Sequence, residues 1–157
     1  MRLTVVALAV LFSLPLAAAP LHSQYLPPDD QTLRQGEPEQ QQLLQVTEYS
    51  IVAGNERLSN QQPIPVTAPL FLRLKGKAQG KNPTLNQVLI TFDGESKSLK
   101  KPVYDEQEKT LTLNYPLSMY RSLVDMLRNE TVYVQYLTYA NGHIWADLHS
   151  TGNLRAR

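Results

Sequence analysis

The chain of 157 residues contains no cysteine. That absence excludes a disulfide scaffold, a thiol nucleophile, thiolate metal sites and a lipid-anchoring cysteine. Tryptophan occurs once, and phenylalanine and histidine three times each, so any strand face that gathers them stands out. An excess of one charge is also missing: 15 basic and 14 acidic side chains give a formal net charge of +1. Nucleic-acid binding leaves a basic footprint, and this composition offers none. The sequence also lacks a Gly-x-Ser-x-Gly elbow, a zincin His pair and a phosphate-binding loop.

Long apolar runs are scarce too. One runs from Leu3 to Leu16 behind Met1-Arg2, interrupted only by Thr4, Ser13 and Pro15, and leads into Ala17-Ala18-Ala19. It falls short of the roughly 20 residues a membrane-spanning helix needs. A positive start, an apolar stretch and small residues predict a secretory signal peptide over residues 1–19. Its removal takes away Arg2 and leaves 14 basic and 14 acidic side chains. The expectation is a periplasmic or secreted protein without a transmembrane span after cleavage. The remaining length suits a single domain that buries about two-thirds of its unfolded surface.

Residues 20–42 carry Pro27-Pro28, Asp29-Asp30, Gly36, Pro38 and a glutamine run. Few of these can anchor a core, so the segment reads as a flexible leader, or as an arm that meets a partner through Tyr25-Leu26. The domain is expected over residues 43–151, followed by a polar tail at 152–157. Strands are predicted at Leu43–Val52, Val66–Lys75, Gln87–Phe92, Ser98–Tyr104 and Lys109–Tyr115, with loops at Arg57–Pro65 and Gly76–Pro83. Pro69 would place the second strand at an edge or a bulge. Within Leu117–Arg128, Tyr120, Leu123, Val124 and Leu127 recur at the spacing of a helix packed on a core. Pro116 suits its entry, Ser118 its cap and Asn129 its end.

The most informative stretch is Thr131 to Ser150, where two runs rich in β-branched and aromatic residues flank Asn141-Gly142. That dipeptide predicts a two-residue type I′ hairpin turn. The register would set Tyr139 opposite Ile144, Thr138 opposite Trp145, Tyr136 opposite Asp147 and Val134 opposite His149. Side chains alternate across a strand. One face would therefore carry Tyr133, Leu137, Tyr139, Ile144, Ala146 and Leu148 as core. The other would gather Val134, Tyr136, Thr138, His143, Trp145, Asp147 and His149. Seven short strands with frequent turns give the expected fold class: an all-β, antiparallel β-sandwich, immunoglobulin-like by strand count, with one short helix before the last hairpin.

Tyr136, Thr138, His143, Trp145, Asp147 and His149 are the candidate binding surface, because Trp and Tyr dominate interface anchors. Asp147 and His149 stand about 7 Å apart along one strand, a spacing that suits an oriented base or two metal ligands. No nucleophile or third ligand follows at a fixed spacing. His143 and His149 would lie roughly 20 Å apart and cannot share a metal. Asp105-Glu106-Gln107-Glu108 lacks the glycine and spacing of a calcium loop and reads as a solvated turn. Arg73, Lys75, Lys77, Lys81, Lys97, Lys100 and Lys101 make the middle of the chain mildly basic, which suits an acidic partner or a lipid headgroup and equally a protected edge strand. Asn129-Glu130-Thr131 matches a glycosylation sequon.

The resulting expectation is an exported, non-enzymatic protein without metal or cofactor that binds another envelope or secreted protein. Roles of that kind include an envelope-assembly accessory, an inhibitor or an immunity protein. A glycan-binding module using the same aromatics is the alternative, and a hydrolase built on Asp147 and His149 is a third, weaker reading.

Overall fold

A computed structural model describes residues 20–54, 60, 70–94 and 100–154. The predicted signal peptide, residues 66–69 with Pro69, Lys97, most of the Arg57–Pro65 loop and the last three residues lie outside these. The described chain forms strands β1 (Gln40–Ala53), β2 (Leu70–Gln79), β3 (Gln87–Asp93), β4 (Val103–Asp105) and β5 (Thr110–Pro116). A 3-10 turn over Leu117–Met119 then leads into helix α1 (Tyr120–Asn129), followed by β6 (Glu130–Thr138) and β7 (Ile144–Leu154).

The sandwich expectation needs correction. All seven strands belong to one sheet in the order β4-β5-β3-β2-β1-β6-β7, mixed rather than antiparallel and curled into a half-barrel. The chain leaves β3, passes to β4 at the edge, and turns back so that β5 fills the gap, parallel to β3. Asp105 closes that turn, its carboxylate accepting the backbone N–H groups of Gln107 and Glu108 at 2.9 Å. Strand count and turn spacing carry no information about such an inserted parallel pairing, which is why the sequence suggested two separate sheets.

The curl has a local cause. Register slips between Val46 and Glu48, a bulge opposite Gly76, and bulges increase strand bend and twist. An ideal Cβ at Gly76 would lie 1.9 Å from the Gln45 carbonyl oxygen, so the two backbones meet there only because position 76 has no side chain.

The concave side holds the main core, including Leu44, Leu72, Leu74, Val88, Ile90, Leu111 and Val134. Helix α1 adds Leu123 and Leu127 to it, and the Tyr120 ring meets Phe92 edge-on at 5.3 Å. Burying each such leucine contributes roughly 1.5–3 kcal/mol. The curl also brings the two ends of the sheet towards each other. Tyr104 of β4 lies 5.7 Å from Tyr136 of β6, ring to ring, and the Tyr115 hydroxyl bonds the backbone of Leu148 on β7. Burial, reinforced by the Asp147 charge and opposed by that bond, pushes the Tyr115 phenol up to about 12.

The terminal hairpin forms, but with a different turn. The Gly142 N–H donates to the Tyr139 carbonyl at 2.8 Å, and the Tyr139 N–H to that of His143 at 3.0 Å. Only Gly142, at φ 81°, takes a left-handed conformation; Asn141 does not. This is a three-residue loop, a type I turn followed by a glycine bulge. Asn141 contributes its side chain instead: Oδ1 accepts the His143 N–H at 3.1 Å, in the manner of an Asx turn. The register consequently slips by one from the expected one. Thr138 faces Ile144, Leu137 faces Trp145, Gln135 faces Asp147 and Tyr133 faces His149.

Candidate functional site: the outer face of the terminal hairpin

A one-residue slip reassigns which residues share a face. Val134, Tyr136 and Thr138 now sit opposite Leu148, Ala146 and Ile144, and Tyr136 and Val134 belong to the main core. Two of the six candidates, Tyr136 and Thr138, therefore lie on the concave side, away from the others. Trp145, Asp147 and His149 stand on the convex side with Tyr133, Gln135 and Leu137, and His143 joins them at the turn. Sequence periodicity separated the faces of each strand correctly. It combined the wrong two.

The convex face is covered. Of residues 20–42, expected to be a flexible leader, 40–42 open β1 and 20–39 run across this face with 3-10 turns at Ser23–Tyr25 and Pro28–Asp30. Pro28 opens the second turn, where its missing N–H costs nothing. Leu26 is buried in a second apolar cluster with Leu137, Tyr139 and Trp145, separate from the main core. The apolar content of the leader is small, but one leucine at the right place packs between Leu137 and the Tyr139 and Trp145 rings.

Polar contacts fix the segment on either side of Leu26. Gln135, fully buried, donates from Nε2 to the Leu21 carbonyl at 2.8 Å. The His143 ring nitrogen Nε2 lies 2.9 Å from the Asp30 carboxylate, which also faces Arg34 at 3.5 Å. Arg34 donates in turn to the Pro27 carbonyl at 2.9 Å, and Asn141 donates to that of Leu33 at 2.8 Å. The contacts among Asp30, Arg34 and His143 are largely shielded from solvent and work at closer to interior than surface dielectric, whereas the Asn141–Leu33 bond lies at the surface.

At the other end lies a continuous hydrogen-bonded row. The Trp145 indole N–H donates to one oxygen of Asp147, whose other oxygen meets His149 Nδ1 at 2.6 Å. His149 Nε2 then meets His22 Nδ1 at 2.8 Å. A neutral His149 that donates from Nδ1 to the Asp147 carboxylate leaves Nε2 to accept from His22, whereas a His149 protonated on both nitrogens donates to His22 and opposes a charge there. The His149 ring is held between Tyr25, stacked at 4.3 Å, and Tyr133, at 5.9 Å. The two imidazole centroids are 5.1 Å apart, so the nitrogens meet head-on along the line joining the rings. That is the arrangement of two groups sharing a proton; two ligands of one metal would instead converge from the side. Among the described residues no group of three or more His, Cys, Asp or Glu side chains could hold a metal ion.

Burial lowers the His22 pKa from its ordinary value of 6.5, the charge of His149 lowers it further, and Asp147 partly opposes both. A depressed histidine value means that the docked state takes up a proton less readily than the released one. Its contribution to docking is whole above pH 6.5 and declines as the pH falls below 6.5 towards the depressed value. Asp147, His149, Tyr25 and Tyr133 are the groups that face His22. Trp145 emission followed from pH 7.5 to 5 should report leader loosening in the native chain and a flatter profile in His22→Ala. Identical profiles would contradict this role for His22.

Sequence reasoning missed His22, Asp30 and Gln135, placed Tyr133 and Leu137 on the core face, and named Tyr25 and Leu26 only as an arm for a partner. The Tyr25-Leu26 pair was the one visible signal in the leader. Other candidates find structural roles. Lys100 pairs loosely with Asp93 at 3.7 Å, Arg73 rests over the Phe71 ring at 5.9 Å, and Asn129 bonds back to Asp125. No described helix is long and apolar enough to cross a membrane. Comparison with protein-family models, curated proteins and solved structures gives no match.

Proposed function

We propose that this is an exported, non-enzymatic binding protein that engages another envelope or secreted protein through the outer face of its terminal hairpin. Export rests on the N-terminal pattern of Arg2, Leu3–Leu16 and Ala17–Ala19. The observation that carries the binding reading is the second apolar cluster. Leu137, Tyr139 and Trp145 occupy the side of the sheet away from the core, with one leucine of a short polar segment as their cover. A sheet of this kind is stable with one apolar face, so a second apolar cluster, closed by one leucine instead of a layer of its own, supports reading this face as a place to receive another chain.

The glycan alternative is weaker. The Trp145 N–H is committed to Asp147 and is not offered to a sugar hydroxyl, and what the ring receives in this structure is a leucine side chain, the chemistry of a polypeptide. Trp145→Ala and His149→Ala, each compared with native protein for capture of its partner from the matching envelope or secreted fraction, test the proposal. Loss of about 2 kcal/mol or more, roughly thirty-fold, is expected for Trp145→Ala as an interface anchor. Undiminished capture by both variants would remove this face as the interface.

A further inference from the structure

We infer that the outer hairpin face is a peptide-binding groove whose occupant is a partner segment carrying an aromatic–leucine pair followed, four residues after the leucine, by an aspartate. This rests on the interface reading above and specifies its ligand. Residues 21–30 of the chain occupy the groove with that chemistry, so the leader is a tethered stand-in for the partner.

Three subsites define the pattern. Tyr25 stacks on His149, Leu26 fills the cluster of Leu137, Tyr139 and Trp145, and Asp30 meets His143 at 2.9 Å. Aromatic, apolar and acidic groups are thus read at fixed intervals by a rigid two-stranded element, which is how grooves obtain sequence selectivity for peptides. The leader fills the groove incompletely. Gln135 is entirely buried, yet only its Nε2 is used, and its Oε1 has no partner. A carboxamide facing a peptide backbone can take a carbonyl and an N–H together, and a buried acceptor left open disfavours the state that leaves it so. A partner segment that presents a backbone N–H as well as a carbonyl completes this bond. The leader also holds His22 at φ 55°, a left-handed conformation that side-chain-bearing residues rarely adopt. A ligand free of that constraint binds the same subsites with less strain.

Tethering explains why an imperfect occupant remains seated. A short linker gives an effective concentration of about millimolar, which a partner in solution has to overcome. The leader therefore sets an affinity threshold.

The test uses the full chain carrying Leu26→Asp, which withdraws the tethered leucine, and a synthetic peptide of residues 20–35 with its native Leu26. Trp145 emission reports occupancy, because it is the only tryptophan. Saturable binding is expected, at least tenfold tighter to the Leu26→Asp chain than to the native chain. Binding should weaken at least tenfold when the peptide carries Asp30→Asn or Leu26→Asp. Should the Leu26→Asp chain lose its fold by circular dichroism, the milder Tyr25→Ala/Asp30→Asn chain takes its place. No saturable response to millimolar peptide, or equal binding of the substituted peptides, overturns the inference. If the peptide fails while Trp145→Ala still abolishes partner capture, the interface stands and the groove falls. If the peptide binds while capture is unaffected, the groove stands and the interface falls.

Discussion

Replacing Gly76 by alanine should remove about 3–5 kcal/mol of stability, a large share of the roughly 5–15 kcal/mol that holds a typical domain together. The added Cβ would lie 1.9 Å from the Gln45 carbonyl oxygen and 2.7 Å from its carbon, with the Val46 Cα at 3.0 Å. All three are backbone atoms, so no side-chain rotation relieves the clash. Relief requires β1 and β2 to separate at the bulge between Val46 and Glu48, which opens the curl on which the concave core depends. Urea or thermal unfolding followed by circular dichroism measures the loss. Gly94→Ala is the matched control: nothing lies within 4 Å of its added Cβ and its φ is not in the left-handed range. It should stay within about 0.5 kcal/mol of native. A Gly76→Ala protein as stable as the control would refute the close approach of the two strands.

The second large effect is expected from Leu26→Asp. Leu26 is 8% exposed and packed among Leu137, Tyr139 and Trp145, while Arg34, on the adjacent Pro27 carbonyl, is already paired with Asp30. Burying an unpaired charge costs more than the docked segment can return, so the leader should leave while the main core persists. Loss of about 2–4 kcal/mol is expected, within the range of a disrupted buried site and limited by the free energy of docking. Trp145 emission should shift to longer wavelength and become accessible to acrylamide, while the far-ultraviolet spectrum keeps its β character. A global collapse would mean that the convex cluster and the concave core are a single cooperative unit.

Much of this architecture was legible in the sequence because local signals dictated it. The stripe of Tyr120, Leu123, Val124 and Leu127 gave the helix, alternation in Leu111-Thr112-Leu113 gave one strand, and the β-rich run Gln87–Phe92 ended by Asp93-Gly94 gave another. Pairing was not legible. Nothing local in Thr110–Pro116 announces a parallel neighbour at Gln87–Asp93, since that choice is made by packing across the whole sheet.

The candidate site was half visible for a related reason. His143, Trp145, Asp147 and His149 were found from their own strand's alternation. Tyr136 and Thr138 were added through an assumed turn, and a glycine bulge at Gly142 moved them to the opposite face. The sequence left open whether the leader, the helix or another layer covers this face, but the residues that do so were not legible, because Tyr25, Leu26 and Asp30 lie in a proline-rich segment with little apolar content. Their contacts are with residues more than a hundred positions away, as between His22 and His149. Composition describes the average behaviour of such a segment, whereas docking here depends on one leucine and a few oriented polar groups.

That docking is the claim on which the binding account depends. The most direct measurement is a nuclear Overhauser experiment on the native chain near neutral pH, observing the Leu26 methyl groups and the Trp145 indole. Strong cross-peaks between them are predicted, alongside those of the concave core between Leu44 and its neighbours. Core cross-peaks without any contact between Leu26 and Trp145 would contradict the account.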